Sequence, residues 1–196
     1  MNRIYIEITN ACNLNCSFCP EPTKALGRMS IDQFTHIINK IKNHTHHIYL
    51  HVQGEPLSHP QLLNFMDIAH HAHLRVHIVT NATLLSSHKD LLSHSALAQC
   101  SLSLHAWEQF DDYDFTKKLE QLLLMKEAIL NSNASIFLRI WNQKSERMKT
   151  ILSIFINDFN SDTLLGIGKY RIKLNENITL DLEEQFELQQ FNNQFV

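Results

Sequence analysis

The chain predicts an α/β fold of repeated βα units with parallel strands, and two observations carry that expectation. Short segments of strand type recur at Arg3–Ile8, His47–Val52, Arg75–Val79, Cys100–Leu104 and Ile136–Ile140, with longer segments of helix type between them. Such alternation is the sequence sign of a sheet assembled from crossover units. The second observation is bulk: of 196 residues, 44% are hydrophobic, which suffices for one sizeable core and argues against a disordered chain.

Each helix has a local reason to form. Ser30 can cap the first, with Gln33 answering it in a capping box, and Ile31, Phe34, Ile37, Ile38 and Ile41 then form an apolar stripe. Pro60 suits the first turn of the second, whose buried face would include Leu62, Leu63, Phe65, Met66 and Ala69. A third is expected over Ser86–His94. A fourth, about Phe110–Leu130, would bury Leu119, Leu122, Leu123 and Leu130, with Lys126 turning its charge out of the stripe. Ser145 would cap a fifth carrying Met148, Ile151, Leu152 and Phe155. Beyond it, Tyr170–Leu174 and Ile178–Leu182 read as a strand pair around Asn175-Glu-Asn177, or as one strand and an irregular extension.

Charge and cysteine usage narrow the function classes. A net charge of −3 gives no global basic field for nucleic acid. No run approaches the length of a membrane-spanning helix, and the first residues lack the basic segment and apolar stretch of a signal peptide. Four cysteines without a secretion signal read as metal or redox chemistry in a reducing cytoplasm, with no nucleic-acid or membrane partner.

Three of those cysteines, Cys12, Cys16 and Cys19, fall in the loop after the first strand. A local triad of thiolates can grip three corners of a cubane iron–sulfur cluster and leave the fourth iron open, whereas such clusters normally take four thiolates. Two other readings stand beside it. The triad could bind zinc with a histidine as fourth ligand, or form a disulfide with one cysteine to spare.

The remaining motifs also follow predicted strands, and enzymes of parallel βα units gather their sites at the strands' carboxyl ends. Gln53-Gly-Glu-Pro56 follows the second: Gly54 has no side chain where backbone must approach a ligand, and Glu55 can accept a charge-assisted hydrogen bond. An ordinary turn is the plainer reading. Thr80-Asn-Ala82 follows the third; Asn81 is either a ligand contact or a loop residue bonding its own backbone, and Ala82 would resist a positive φ. Ser101, Ser103 and His105 alternate on one face of the fourth strand. On the fifth, Arg139 lies among apolar neighbours; it pairs with a carboxylate, internal or on a ligand, or sits at a strand end that exposes its charge. Cys100 reads as a small core residue, and His70, His71 and His73 as a solvated helix end.

Taken in order, these motifs resemble those of the radical S-adenosylmethionine enzymes. The spacing Cys-x-x-x-Cys-x-aromatic-Cys, with Phe18 as the aromatic residue, is similar to that family's signature. Gln53-Gly-Glu resembles its Gly-Gly-Glu with the first glycine replaced, and Thr80-Asn-Ala82 resembles its Thr-Asn-Gly with the glycine replaced. The resemblance covers roughly the first 140 residues. It implies a partial (β/α)6 TIM-like barrel, a core domain over residues 1–175 and an extension or truncated linker over 176–196.

For function, the resemblance implies a 4Fe–4S cluster on Cys12, Cys16 and Cys19, with S-adenosylmethionine as cosubstrate. Reductive cleavage would give methionine and a 5′-deoxyadenosyl radical that takes hydrogen from a substrate. Phe18 would flank the adenine, and Gly54, Glu55, Asn81, Ser103 and Arg139 would hold the cosubstrate. The electron would come from an external donor such as flavodoxin or ferredoxin. Many members carry a further cysteine-rich domain, and many of those modify peptides or proteins, so a peptide or protein substrate is expected. No cysteine follows Cys100, which reads as a short member, a truncated form or a fragment. The rival functions are a zinc- or cluster-stabilised binding module on the same scaffold and a hydrolase using Glu55 and His105.

Overall fold

Alternation along the strands decides how the sheet is covered. In the computed structural model, which describes residues 3–20, 25–142, 145–156, 165–168 and 171–182, the third strand runs Arg75–Thr80 with Val76, Ile78 and Thr80 buried on one side. Val76 and Ile78 join Ile48, Cys100, Leu102, Ile136, Leu138, Ile178 and Leu180 in one core, which Phe34, Ile38, Phe65, Met66, Leu122, Met125 and Ile151 complete from the helices. Side chains of period two and helices of period 3.6 thus bury one face of the sheet.

The described elements follow in the order β1 (Ile4–Tyr5), α1 (Ile31–Ile41), β2 (His47–Tyr49), α2 (Leu62–His71), β3 (Arg75–Thr80), β4 (Leu97–Ser103), α3 (Asp112–Leu130), β5 (Ser135–Arg139), α4 (Glu146–Ile156), β6 (Leu165–Gly168), β7 (Arg171–Lys173) and β8 (Ile178–Asp181). They form one sheet of eight strands in the order β1-β2-β3-β4-β5-β8-β7-β6. β1 to β5 and β8 run parallel, and β7 is antiparallel to both its neighbours. The sheet is open, with β1 and β6 at its edges, so the partial barrel of six parallel strands is present without closure.

The sixth parallel strand is β8, which continues from β5 in register, Phe137 against Thr179 and Arg139 against Asp181. The division at residues 175 and 176 therefore lies in the β7–β8 hairpin, where Asn175 Oδ1 accepts from the N–H groups of Asn177 and Ile178. Residues 183–196 lie outside the described residues.

The first helix forms as its capping box predicts: Ser30 accepts from Gln33 N–H at 3.2 Å, and Gln33 accepts from Ser30 N–H at 2.9 Å. The third expected helix does not form. Ser86–His94 instead makes two 3₁₀ turns, Leu85–Ser87 and Lys89–Ser93. His88 between them takes φ −126° and ψ 50°, outside the helical region, and the serines nearby compete for backbone hydrogen bonds. Leu85, Leu91 and Leu92 are still buried, so the segment covers the sheet without a helix. On α3 the buried stripe is Phe115, Leu122, Met125 and Ile129; Leu123 is half exposed, one position off that face.

The opposite face of the sheet is polar and aromatic. Tyr5, Tyr49 and His77 are neighbours in register on β1, β2 and β3, and their rings stack at 4.7 and 4.3 Å between centroids. Tyr5 is 51% exposed, so this face is uncovered at β1. No described helix is long and apolar enough to cross a membrane.

Candidate active site

The cysteine loop leaves β1 and is tied at its base before the first thiol. Thr9 and Asn10 reach across to the returning segment: Thr9 Oγ1 donates to Gly27 O, Asn10 Nδ2 donates to Ala25 O, and Gly27 N–H donates to Asn10 Oδ1 at 2.7 Å. Beyond this clasp, all three thiols are free, Cys16 buried and Cys12 and Cys19 exposed. The loop turns tightly, with Cys19 N–H donating to Cys16 O at 3.0 Å. A hydrogen bond between the last two thiols holds Cys16 well up and brings Cys19 down to about 7; burial raises Cys12.

The loop after β2 is pressed against that base. Gly54 has φ +73°, and a methyl group there would sit 2.6 Å from Thr9 O and 2.7 Å from Ala11 O. Only glycine meets both conditions. Next to it, Glu55 N–H donates to Ala11 O at 2.9 Å. The Glu55 carboxylate, 2% exposed, turns inward. It accepts from Leu57 N–H at 2.9 Å, Thr80 Oγ1 at 2.6 Å and Asn81 N–H at 2.7 Å. Burial raises its pKa against the pull of those three donors. Glu55 thus joins the loops after β2 and β3, a positioning role that the sequence did not suggest.

Asn81 extends the same junction to the cysteines. Its Nδ2 donates to Asn13 Oδ1 at 3.0 Å and to Cys12 Sγ at 3.7 Å, and its Oδ1 accepts from Thr83 N–H and Thr83 Oγ1. Asn13 Nδ2 donates to Thr83 Oγ1 at 2.8 Å, closing the network. Asn81 thus bonds its own loop, as the plainer reading expects, and also reaches Cys12. Ala82 does adopt a positive φ, 61°, so the glycine conformation persists with an alanine in it.

At the ends of β4 and β5, Ser103 and Arg139 are direct neighbours in register, and Asp181 is the next residue across. His105 departs from the expected alternation. β4 stops at Ser103, and Leu104–Gln109 winds into 3₁₀ turns. His105 is therefore buried beside the sheet, stacked on Trp141 at 3.8 Å and 9°, with Phe18 5.3 Å away. Burial, and then the Arg139 charge, lower its pKa to about 4, which keeps it neutral. Arg139 lies over the other ring of this group, its Cζ 4.7 Å from the Trp141 centroid. Glu55 and His105 are each committed elsewhere, which removes the basis for pairing them as a hydrolytic couple.

A cavity of about 210 Å³ opens between Cys16, Phe18, His105, Glu108 and Gln109. A larger hollow of about 470 Å³, between Glu7, Arg28, Gln33 and His36, lies behind the loop's base and includes none of the cysteines. Two side chains missed in the sequence complete the site. Trp107 donates its indole N–H to Asn81 O at 2.7 Å, and Gln109 donates its side-chain N–H to Cys16 Sγ at 3.0 Å. A buried indole needs an acceptor, so Trp107 carried some signal; a lone Gln carries none.

Hydrogen-bond donors surround the cysteine loop. Among the described residues no three His, Cys, Asp or Glu side chains, the cysteine triad included, are grouped to hold a metal ion. N–H groups point at Cys12 and Cys16, the kind of contact that supports cluster-bound thiolates.

A sequence model of the Radical SAM superfamily matches residues 6–123, more than half of the chain. The chain belongs to the Radical SAM superfamily. The matched stretch includes all three cysteines, Gly54, Glu55, Asn81 and Ser103. A curated relative, the AdoMet-dependent heme synthase of Methanosarcina barkeri, is 32% identical over 83 residues, 41% of this Radical SAM chain and 24% of its own length. Streptococcus suis SuiB, solved bound to its precursor peptide SuiA, superposes with a TM-score of 0.58 at 18% identity, over 80% of this chain and 37% of SuiB. SuiB bound to S-adenosylmethionine gives the same TM-score over 38% of that chain. The fold is thus shared, and the chain spans under two-fifths of the length of these relatives.

Proposed function

We propose that this Radical SAM chain holds a 4Fe–4S cluster on Cys12, Cys16 and Cys19 and uses it to cleave S-adenosylmethionine. When bound, the pair would supply a 5′-deoxyadenosyl radical from one electron delivered by a flavodoxin- or ferredoxin-like donor, leaving methionine. The observation that carries the reading is the convergence on the cysteine loop. Gly54 packs under it, Glu55 and Asn81 fix it to the loops after β2 and β3, and Gln109 reaches it from beyond β4.

The chain's own residues then divide the work. Glu55, internally bonded, sets the loop whose backbone carbonyls at Gln53 and Gly54 meet the methionyl ammonium. Ser103 and Arg139, side by side at the strand ends, take the carboxylate, for which a guanidinium is the suited partner. Phe18 flanks the adenine at the cavity it lines. The neutral His105–Trp141 stack forms an apolar wall that excludes water.

The substrate we assign is a peptide or protein. Support comes from the fold shared with SuiB, which was solved with its precursor peptide, and from the uncovered aromatic face of the sheet at Tyr5. The core domain, 1–175, would include the cysteine and cosubstrate sites, and β8, just beyond that bound, pairs with β5 in the same sheet. We place the chain in a reducing cytoplasm, a setting in which such a cluster persists.

Anaerobic protein supplied with iron, sulfide, dithionite and S-adenosylmethionine should release methionine and 5′-deoxyadenosine without any substrate. Stoichiometric zinc and intact S-adenosylmethionine would return the chain to the binding-module reading.

A further inference from the structure

Gln109 reaches Cys16 from a fixed position. It ends the 3₁₀ segment Leu104–Gln109, which is anchored by Trp107, 1% exposed and bonded through its indole to Asn81 O. The Gln109 amide nitrogen donates to Ala106 O at 2.8 Å and to Cys16 Sγ at 3.0 Å. The first contact aims the second. Cys16 is the buried thiol of the three, and a hydrogen bond acts more strongly on a group shielded from water. Among the described residues the other N–H donors on the triad, Leu14 N–H and Asn81 Nδ2, both go to Cys12 at longer distance, 3.4 and 3.7 Å.

We propose that Gln109 is a positioning residue that sets the reduction potential of the cluster, by donating an N–H to the sulfur of Cys16. The inference rests on the proposed function above and adds a residue to it. Reduction adds one electron from the external donor and breaks no bond. The added negative charge spreads in part onto the ligating sulfurs, so an N–H aimed at one of them favours the reduced state. Without that N–H the cluster is harder to reduce.

The test compares wild-type and Gln109→Leu proteins, both loaded anaerobically with iron and sulfide and titrated with mediators while the reduced cluster is followed by electron paramagnetic resonance. The expected result is equal iron with a reduction equilibrium about threefold less favourable, a midpoint about 28 mV more negative at about 59 mV per tenfold for one electron. Equal iron and an unchanged midpoint overturn the proposal. Where Gln109→Leu loads poorly, Gln109→Met, which keeps the length of the side chain with no N–H and no charge, takes its place. A more negative midpoint supports the role, and an unchanged one overturns it. Loss of iron from both variants overturns a role in potential in favour of one in assembly. A wild-type chain that takes up no cluster overturns the proposed function itself.

Discussion

Glu55 is the residue on which three separate donors depend, and its replacement separates positioning from ligand binding. In Glu55→Ala, Leu57 N–H, Thr80 Oγ1 and Asn81 N–H lose their acceptor in a buried place. Each unsatisfied group costs about 1–3 kcal/mol, so denaturant unfolding should show a loss of about 3 kcal/mol or more. A stability within about 0.5 kcal/mol of wild type would be that of an ordinary surface substitution and would mean the carboxylate is not the hub described here. The same reasoning explains why the sequence suggested a different job. A Gly-Glu-Pro turn shows that an acidic side chain is present, whereas its direction depends on Thr80 and Asn81 arriving from another strand.

Among the elements, the decisive junction is loop against loop. Gly54→Ala would place a methyl group within 2.8 Å of three backbone atoms in Thr9, Asn10 and Ala11, at φ +73°. Backbone cannot give way as a flexible side chain can, and the left-handed region alone costs about 1–2 kcal/mol. The variant should be destabilised by more than about 2 kcal/mol and should load iron poorly. Normal iron uptake at normal stability would show that the loop after β2 is free to move off the cysteine loop. The βα rhythm, the capping box at Ser30 and the first five parallel strands were legible because each is written in local periodicity or in one cap, while the sixth was implied by the family resemblance alone. The missing third helix and the 3₁₀ turn that redirects His105 were not. Both are decided by where the chain must return to the core, and Leu85, Leu91, Leu92 and Trp107 are buried whether or not a helix forms.

For the whole molecule, burying neutral histidines ties stability to pH. His77 and His105 are both lowered to about 4, with burial the first cause of each. An unfolded histidine titrates near pH 6.5, so between about 6.5 and 4 the unfolded chain binds more protons. Stability should therefore be full above about pH 6.5 and fall as pH drops toward 4. His105, only 5% exposed, would contribute on the order of 3 kcal/mol of that loss. Glu55, whose pKa is raised, acts in the opposite sense and offsets part of it at the acid end. Thermal unfolding across this range should show the fall, and a His105→Phe variant should flatten it; an unchanged slope would mean His105 is charged in the folded protein. At this scale the candidate site was readable as a set of motifs after strands. Its cohesion was not, since Thr83, Trp107 and Gln109 belong to no motif, Asn13 is an unspecified position inside the cysteine motif, and all become partners only when the parallel sheet brings four loops to one end.

The most direct measurement of the central claim is the iron and sulfide content of anaerobically reconstituted protein, wild type beside Cys12→Ala, Cys16→Ala, Cys19→Ala and Cys100→Ala. Cys100 is wholly buried in the core, with its pKa pushed up to about 12 by burial, and serves as the control. Wild type and Cys100→Ala should each carry about four irons, and each variant of the triad should lose the cluster. Equal iron in wild type and Cys16→Ala would contradict the account.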